Sequence, residues 1–395
     1  MGVARKILVA AAFAALMQPA FADPDPQAWD AVVADARGQT VDWYAWGGES
    51  RINDYISWVG EELSARYGVS VRQVKLTDTA EAVARVLAET VAGRTEGGAV
   101  DLIWINGENF VSMKMQGLLH GETWAEKLPN WGLVDLRRFA SAIQIDFGVA
   151  VEGQQSPWGR AQLVMLHDGA RTDPPASLEE LIAFAAANPG RFTYPQPPNF
   201  VGTSFLKQVL LDTVPDRAVL MEPAGENGEE VVRAHMLPAL EALHPHLWRG
   251  GAAFPQNVAD LRRLFADGEL AIALTHNPSD ALAGVRDGLL PPTATVAAFD
   301  AGTLGNVHFV AIPHNANDKA GAMVVANFLL SPEAQARKAD PDVWGDPTVL
   351  AVERLPEDAR GSFPQSVSVD APTLAEPHAS WTPIIERVWD EAFLR

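Results

Sequence analysis

Short apolar strands alternate with amphipathic helices along most of this chain, and that alternation restricts the fold to the α/β class. Residues 40–45 read as a strand ending at Trp46-Gly47-Gly48, followed by a helix carrying Ile52, Tyr55, Ile56 and Val59 on one face. Residues 69–76 form a second strand. Asp78 and Glu81 then make a capping box for a helix with Val83, Val86, Leu87 and Val91 on its apolar stripe. Residues 100–105 are apolar almost throughout, as expected of a strand buried on both faces, and stop at Asn106-Gly107-Glu108-Asn109. A second compact unit starts near Trp158. It has strands at 162–167, 192–194 and 270–275, a Ser177/Glu180 capping box, and a helix from about Thr203-Ser204. Residues 307–313 return as a strand, a helix covers 320–330, and Ser331-Pro332 opens the next with proline in its first turn. Residues 340–368 read as an irregular surface stretch, and 381–394 as a terminal helix.

The N-terminus points to export. Arg5 and Lys6 precede an apolar run from Ile7 to Met17, and Ala20-Phe21-Ala22 is a small-x-small cleavage site before Asp23-Pro24. The run is too short to span a bilayer comfortably, so cleavage after Ala22 is expected to leave a soluble periplasmic chain. The chain has no cysteine, which excludes a lipoprotein anchor, a disulfide framework and a thiolate metal site. The formal charge is −20. Removing residues 1–22 takes away two bases and no acids, leaving −22. That charge argues against nucleic acid and anionic membranes as partners.

The segment from Phe265 to Ala273, the strand and helices from Ala311 to Leu330, and Ser331-Pro332-Glu333-Ala334-Gln335 together resemble extracellular solute-binding proteins of ABC importers. Residues 41–48, 101–110 and Pro157-Trp158-Gly159 are similar to the YnjB-like subgroup, itself similar to spermidine/putrescine-, thiamine- and iron-binding proteins. The resemblance implies the type II periplasmic-binding-protein fold, two α/β lobes joined by a hinge with two main crossings. Its boundaries here are a signal peptide at 1–22, the first lobe at 23–155, the second at 156–300, and a return to the first lobe with the C-terminal helices at 301–395. It also implies an ABC permease in the inner membrane as partner, a small-molecule solute as cargo, a monomer, and no cofactor.

In open α/β sheets, ligands bind beyond the carboxyl ends of the strands. The candidate cleft residues are therefore those of the strand-end loops: Trp46 and Gly47; Asn106, Glu108 and Asn109; Asn199, Thr203 and Ser204; and Asn277. Trp158 and Asn306 join them at the crossings. Trp46, Trp104 and Trp158 offer aromatic faces for a flat or cationic ligand. Arg160 reads either as a partner for a ligand carboxylate or as an ion pair between lobes. The tryptophans, Glu108 and the acidic balance suit an organic cation; the asparagines, Thr203-Ser204 and Arg160 suit an anion or zwitterion.

Enzyme readings find little support. His244-Pro245-His246 has no nearby carboxylate to complete a metal site. Four tyrosines, none adjacent, disfavour ferric iron. Gly202-Thr203-Ser204 lacks the spacing of a nucleophile elbow, and no phosphate-cradling glycine motif occurs. An exported enzyme on the same fold, with Glu108 as its acid or base, and a solute receptor remain the alternatives.

Overall fold

The computed structural model describes residues 23–364, 369 and 371–394. Its strands are β1 (Thr40–Trp46), β2 (Ser70–Leu76), β3 (Leu102–Ile105), β4 (Ile145–Asp146), β5 (Val149–Ala150), β6 (Gln155–Gln162), β7 (Val164–Asp168), β8 (Ile272–Thr275), β9 (Ala294–Ala297), β10 (Thr303–Ala311) and β11 (Thr373–Leu374). The larger sheet runs β11-β10-β3-β1-β2, with β6 paired to β10. In it β1 lies parallel to β2 and β3, while β10 runs antiparallel to both β3 and β6. A second sheet, β8-β7-β9, is antiparallel throughout, and β4 and β5 form a small hairpin.

Two hydrophobic cores divide the molecule into two lobes. One holds residues from Val32 to Trp158 and again from Val307 to Leu355; the other takes over from Leu163 to Leu304. The chain passes between them along β6 and along β10, which lie side by side. Glycines permit the close approach there. A Cβ at Gly305 would sit 2.8 Å from the Ala161 carbonyl oxygen, and one at Gly159 would sit 2.6 Å from the Lys338 ammonium.

Three departures from the sequence reading have physical causes. The strand expected at 162–167 is preceded by another, β6, which begins at Gln155 and takes in Pro157 and Gly159. Among the described residues that strand pairs only with β10, so the missing N–H of Pro157 breaks no second ladder. Residues 192–194 make only an isolated bridge, Phe192 to Ile272, rather than a strand. The terminal helix Thr382–Phe393 does not return to the first lobe. Trp381, Ile385, Val388 and Trp389 are buried in the second core, against the helices Phe200–Thr213 and Gly228–Leu243. The Trp389 indole donates to the Tyr194 hydroxyl at 2.7 Å, and that hydroxyl lies 2.6 Å from His244 Nε2. The chain therefore crosses between lobes a third time, between Phe363 and Leu374. The expected signal peptide lies outside the described residues.

Candidate functional site

The helix Phe200–Thr213 is buried on almost every side, yet it carries Ser204, Lys207 and Gln208 among Phe205, Leu206, Val209, Leu210 and Leu211. Buried polar side chains are costly unless satisfied, so each needs a partner. Gln208 has its partners, accepting from the Leu304 N–H at 2.8 Å. Lys207 reaches Glu376, with Nζ 3.3 Å from Oε2 and both side chains almost fully buried. Its ammonium also lies 4.2 Å from the centre of the Phe147 ring, in the turn of the β4–β5 hairpin. That turn is tied to the segment after β11, where the Ala379 N–H donates to the Phe147 carbonyl at 2.9 Å.

Around this pair the polar groups are incompletely bonded among the described residues. Neither carboxylate oxygen of Glu376 completes a hydrogen bond, nor does either amide atom of Asn306, the Ser204 hydroxyl, or either ring nitrogen of His276. Asn306 sits on β10 at the crossing, and His276 follows β8 with its ring 4.9 Å from that of Phe200. Native interiors rarely leave such groups unpaired without a reason.

The electrostatics tie both lobes to this spot. Burial pushes the Glu376 carboxyl up; Lys207 and Asn306 pull it down, while Glu108 of the first lobe pushes it further up. Burial likewise raises Glu386 of the terminal helix, Thr203 offsets part of that by donating to it at 2.7 Å, and Glu108 adds to the rise. Asp146 is raised to about 7, chiefly by burial, with bonds from Gln155 and the Gly107 N–H opposing and Glu108 and Glu376 adding. Burial lowers His276 to about 3, helped by the nearby charges of His308 and Lys207.

The expected site residues divide accordingly. Glu108 is exposed and Asn109 half-buried in the first turn of the helix Gly107–Met115, which Asn106 precedes as N-cap. Thr203, Ser204 and Asn306 lie at the site just described. Trp46 is 37% exposed at the end of β1, and the Gly47 N–H after it is taken up by the Leu76 carbonyl. Asn277 links the lobes: its side chain donates to the Trp344 carbonyl at 3.3 Å and accepts from the Ser279 N–H.

Three residues serve the scaffold instead. Trp158 is wholly buried, its ring centre 5.4 Å from Trp43, 4.9 Å from Trp104 and 5.3 Å from Trp344. Inside the strand its side chain is part of the first core. The Arg160 guanidinium lies 3.9 Å from the centre of the Phe139 ring and its Nε donates to the Thr348 carbonyl, and it makes no ion pair among the described residues. Asn199 caps its helix by accepting from the Val201 N–H at 3.1 Å. Trp104 belongs to the same aromatic nest, beside His308. Beneath that nest Lys338 and Asp346 form a buried ion pair. Burial pushes Asp346 up, but Lys338 and His308 outweigh it and hold the carboxyl low.

Sequence reasoning missed Lys207, His276, Glu376, Glu386 and Asp146. A lysine within the apolar face of residues 200–213 was the available signal for Lys207. Glu376 had none, since it follows an irregular stretch.

The family model described as bacterial extracellular solute-binding protein matches residues 58–359. The chain belongs to that family. This solute-binding protein is 46% identical to Protein YnjB of Escherichia coli K12 over 366 residues, 91% of this chain and 92% of that one. It also shares its fold with solved binding proteins. The fructose-6-phosphate-bound AfuA of Actinobacillus pleuropneumoniae aligns with a TM-score of 0.62 at 13% identity, covering 90% of this chain and 99% of the other. The spermidine/putrescine-binding PotD of Streptococcus pneumoniae gives 0.62 at 13%, covering 89% and 98%. A ferric binding protein of Campylobacter jejuni gives 0.58 at 14%, over 89% and 98%. The architecture is the two-lobed periplasmic-binding fold. No helix among the described residues is long and apolar enough to cross a membrane.

Proposed function

We propose that this solute-binding protein captures one small solute between its lobes and delivers it to an ABC permease in the inner membrane, acting as a periplasmic monomer rather than as an enzyme. The observation that carries the reading is the set of buried, incompletely hydrogen-bonded polar groups at the junction of the lobes: Glu376, whose one close partner is Lys207, with Asn306, His276 and Ser204. A solute supplying their missing partners recovers the free energy that their burial costs. Only contacts better in the closed than in the open form drive closure. Glu376, His276 and Ser204 come from the second lobe and Asn306 from the β10 crossing, while Glu108 of the first lobe acts on Glu376 through its charge. A solute that also touches the first lobe meets that condition. Export through residues 1–22, with cleavage after Ala22, supplies the location.

The arrangement of the lobes supports hinge closure. Arg51 of the first lobe pairs with Asp287 of the second at 2.6 Å, and Arg286 of the second with Asp342 of the first. The Ser279 hydroxyl donates to the Gly345 carbonyl at 2.8 Å. These contacts exist only with the lobes together, and opening breaks them. A thermal-shift screen of amines, vitamins, sugars and small anions tests the reading. One compound that raises the melting temperature and contracts the molecule in small-angle scattering is expected. A confirmed ligand that leaves the scattering unchanged contradicts closure.

A further inference from the structure

The capture reading leaves the chemistry of the solute open, and the same site narrows it. Glu108 acts through its charge on Asp146, Glu376 and Glu386, Glu376 acts on Asp146, and Lys207 acts on both Glu376 and Glu386. Carboxyl groups therefore outnumber the single ammonium at this place. Glu376 is 6% exposed; the Lys207 ammonium lies 3.3 Å from its Oε2, and neither oxygen completes a well-formed hydrogen bond among the described residues. Carboxylate oxygens only accept, so the partner they lack must donate. Asn306 adds an unpartnered amide oxygen at 7% exposure. A phosphate or carboxylate would enter against this charge and leave those acceptors unpaired.

Resting on the capture reading, we infer that the solute is a small organic cation with a primary or secondary ammonium, whose N–H groups are held by Glu376 and Asn306 in the field of Glu386 and Glu108. Lys207 shows that the place accommodates an ammonium. Its own lies beside Glu376 and over the Phe147 ring, the surroundings that attract a cation. A quaternary nitrogen satisfies the charge but donates nothing, so it is excluded as the preferred ligand. The carboxyl groups give up protons when a cation arrives, so capture strengthens as pH rises. The groups acting on Glu376 and Glu386 include Glu108, Asp146, Lys207 and Asp390.

The test has two arms. The full-length protein, expressed with its signal peptide and purified from the periplasm without denaturation, is examined by native mass spectrometry and its small molecule released and identified. It is then emptied and titrated calorimetrically between pH 5.5 and 8 with 1,4-diaminobutane, n-butylamine, choline and inorganic phosphate. The inference expects a released amine, binding of at least one of the two N–H amines in preference to choline and phosphate, and tighter binding at higher pH. It expects a loss of about tenfold or more in Glu376→Gln. Glu108→Gln, at an exposed position, guards against a misfolded variant; it keeps the wild-type melting temperature and loses a few-fold. A released sugar, phosphate or carboxylate, or phosphate as the only probe bound, overturns the cation and leaves solute capture standing. Binding of choline as tight as that of the amines overturns the ammonium assignment. Nothing released and no probe bound overturns both.

Discussion

Replacing Arg51 by alanine separates closure from binding. Arg51 lies on the helix Ser50–Tyr67 of the first lobe, and its guanidinium donates to both oxygens of Asp287 at 2.7 and 2.6 Å. It also donates to the Pro341 carbonyl at 2.9 Å. Asp287 follows the helix Asp280–Arg286 of the second lobe, so the ion pair exists only when the lobes meet. The side chains are 21% and 45% exposed, and solvent screening at that exposure limits the pair to about 0.5–1 kcal/mol. Loss of that amount from the closed form alone shifts the closure constant roughly two- to fivefold. The apparent dissociation constant rises by up to the same factor. Titration calorimetry at low and high salt reads it, because screening shrinks the difference between variant and wild type. Arg66→Ala is the control: Arg66 pairs with Glu333 at 2.7 Å, both in the first lobe, so closure is unaffected. Equal weakening in both variants, or none for Arg51→Ala at low salt, refutes the assignment of this pair to closure.

Trp158→Ala leaves a large void among Trp43, Trp104 and Trp344 and should destabilise the first lobe by about 3–5 kcal/mol, measured by urea denaturation. Lys338→Ala strands the Asp346 carboxylate beneath the same nest and should cost about 3–5 kcal/mol by the same measurement. Asp146 tests pH dependence. Its carboxyl is raised to about 7 in the folded protein against about 4 unfolded. Between those values the folded state holds more protons, so this group's contribution to stability falls as pH rises from 4 to 7. Melting temperatures across that window should decline less steeply in Asp146→Asn than in the wild type; an unchanged slope contradicts the assignment.

Much of the scaffold was legible because it is written in local periodicity. Ile52, Tyr55, Ile56 and Val59 mark a helix by spacing alone, and residues 40–45 mark a strand. What stayed hidden depends on distant partners. The strand holding Pro157 was not placed, because a proline is tolerated there only by virtue of β10 being that strand's one neighbour among the described residues. The apolar stripe of Ile385, Val388 and Trp389 announces a helix but not which lobe receives it. The strand-end rule led to Glu108, Thr203 and Ser204, and the return crossing to Asn306; the structure sets Thr203 against Glu386 and Asn306 on β10. Trp158 misled because aromatic surface beside glycine suits recognition and packing equally. Glu376 was invisible for the opposite reason: it reaches the site from an irregular segment, and only the third crossing carries it there.

The central claim is that one solute occupies the junction of the lobes. A crystal structure of the protein with the ligand it carries from the periplasm tests this most directly. The account predicts density enclosed between the lobes, with a ligand nitrogen within hydrogen-bonding distance of Glu376 and Asn306. A ligand bound elsewhere, with Glu376 and Asn306 still unpartnered, would contradict it.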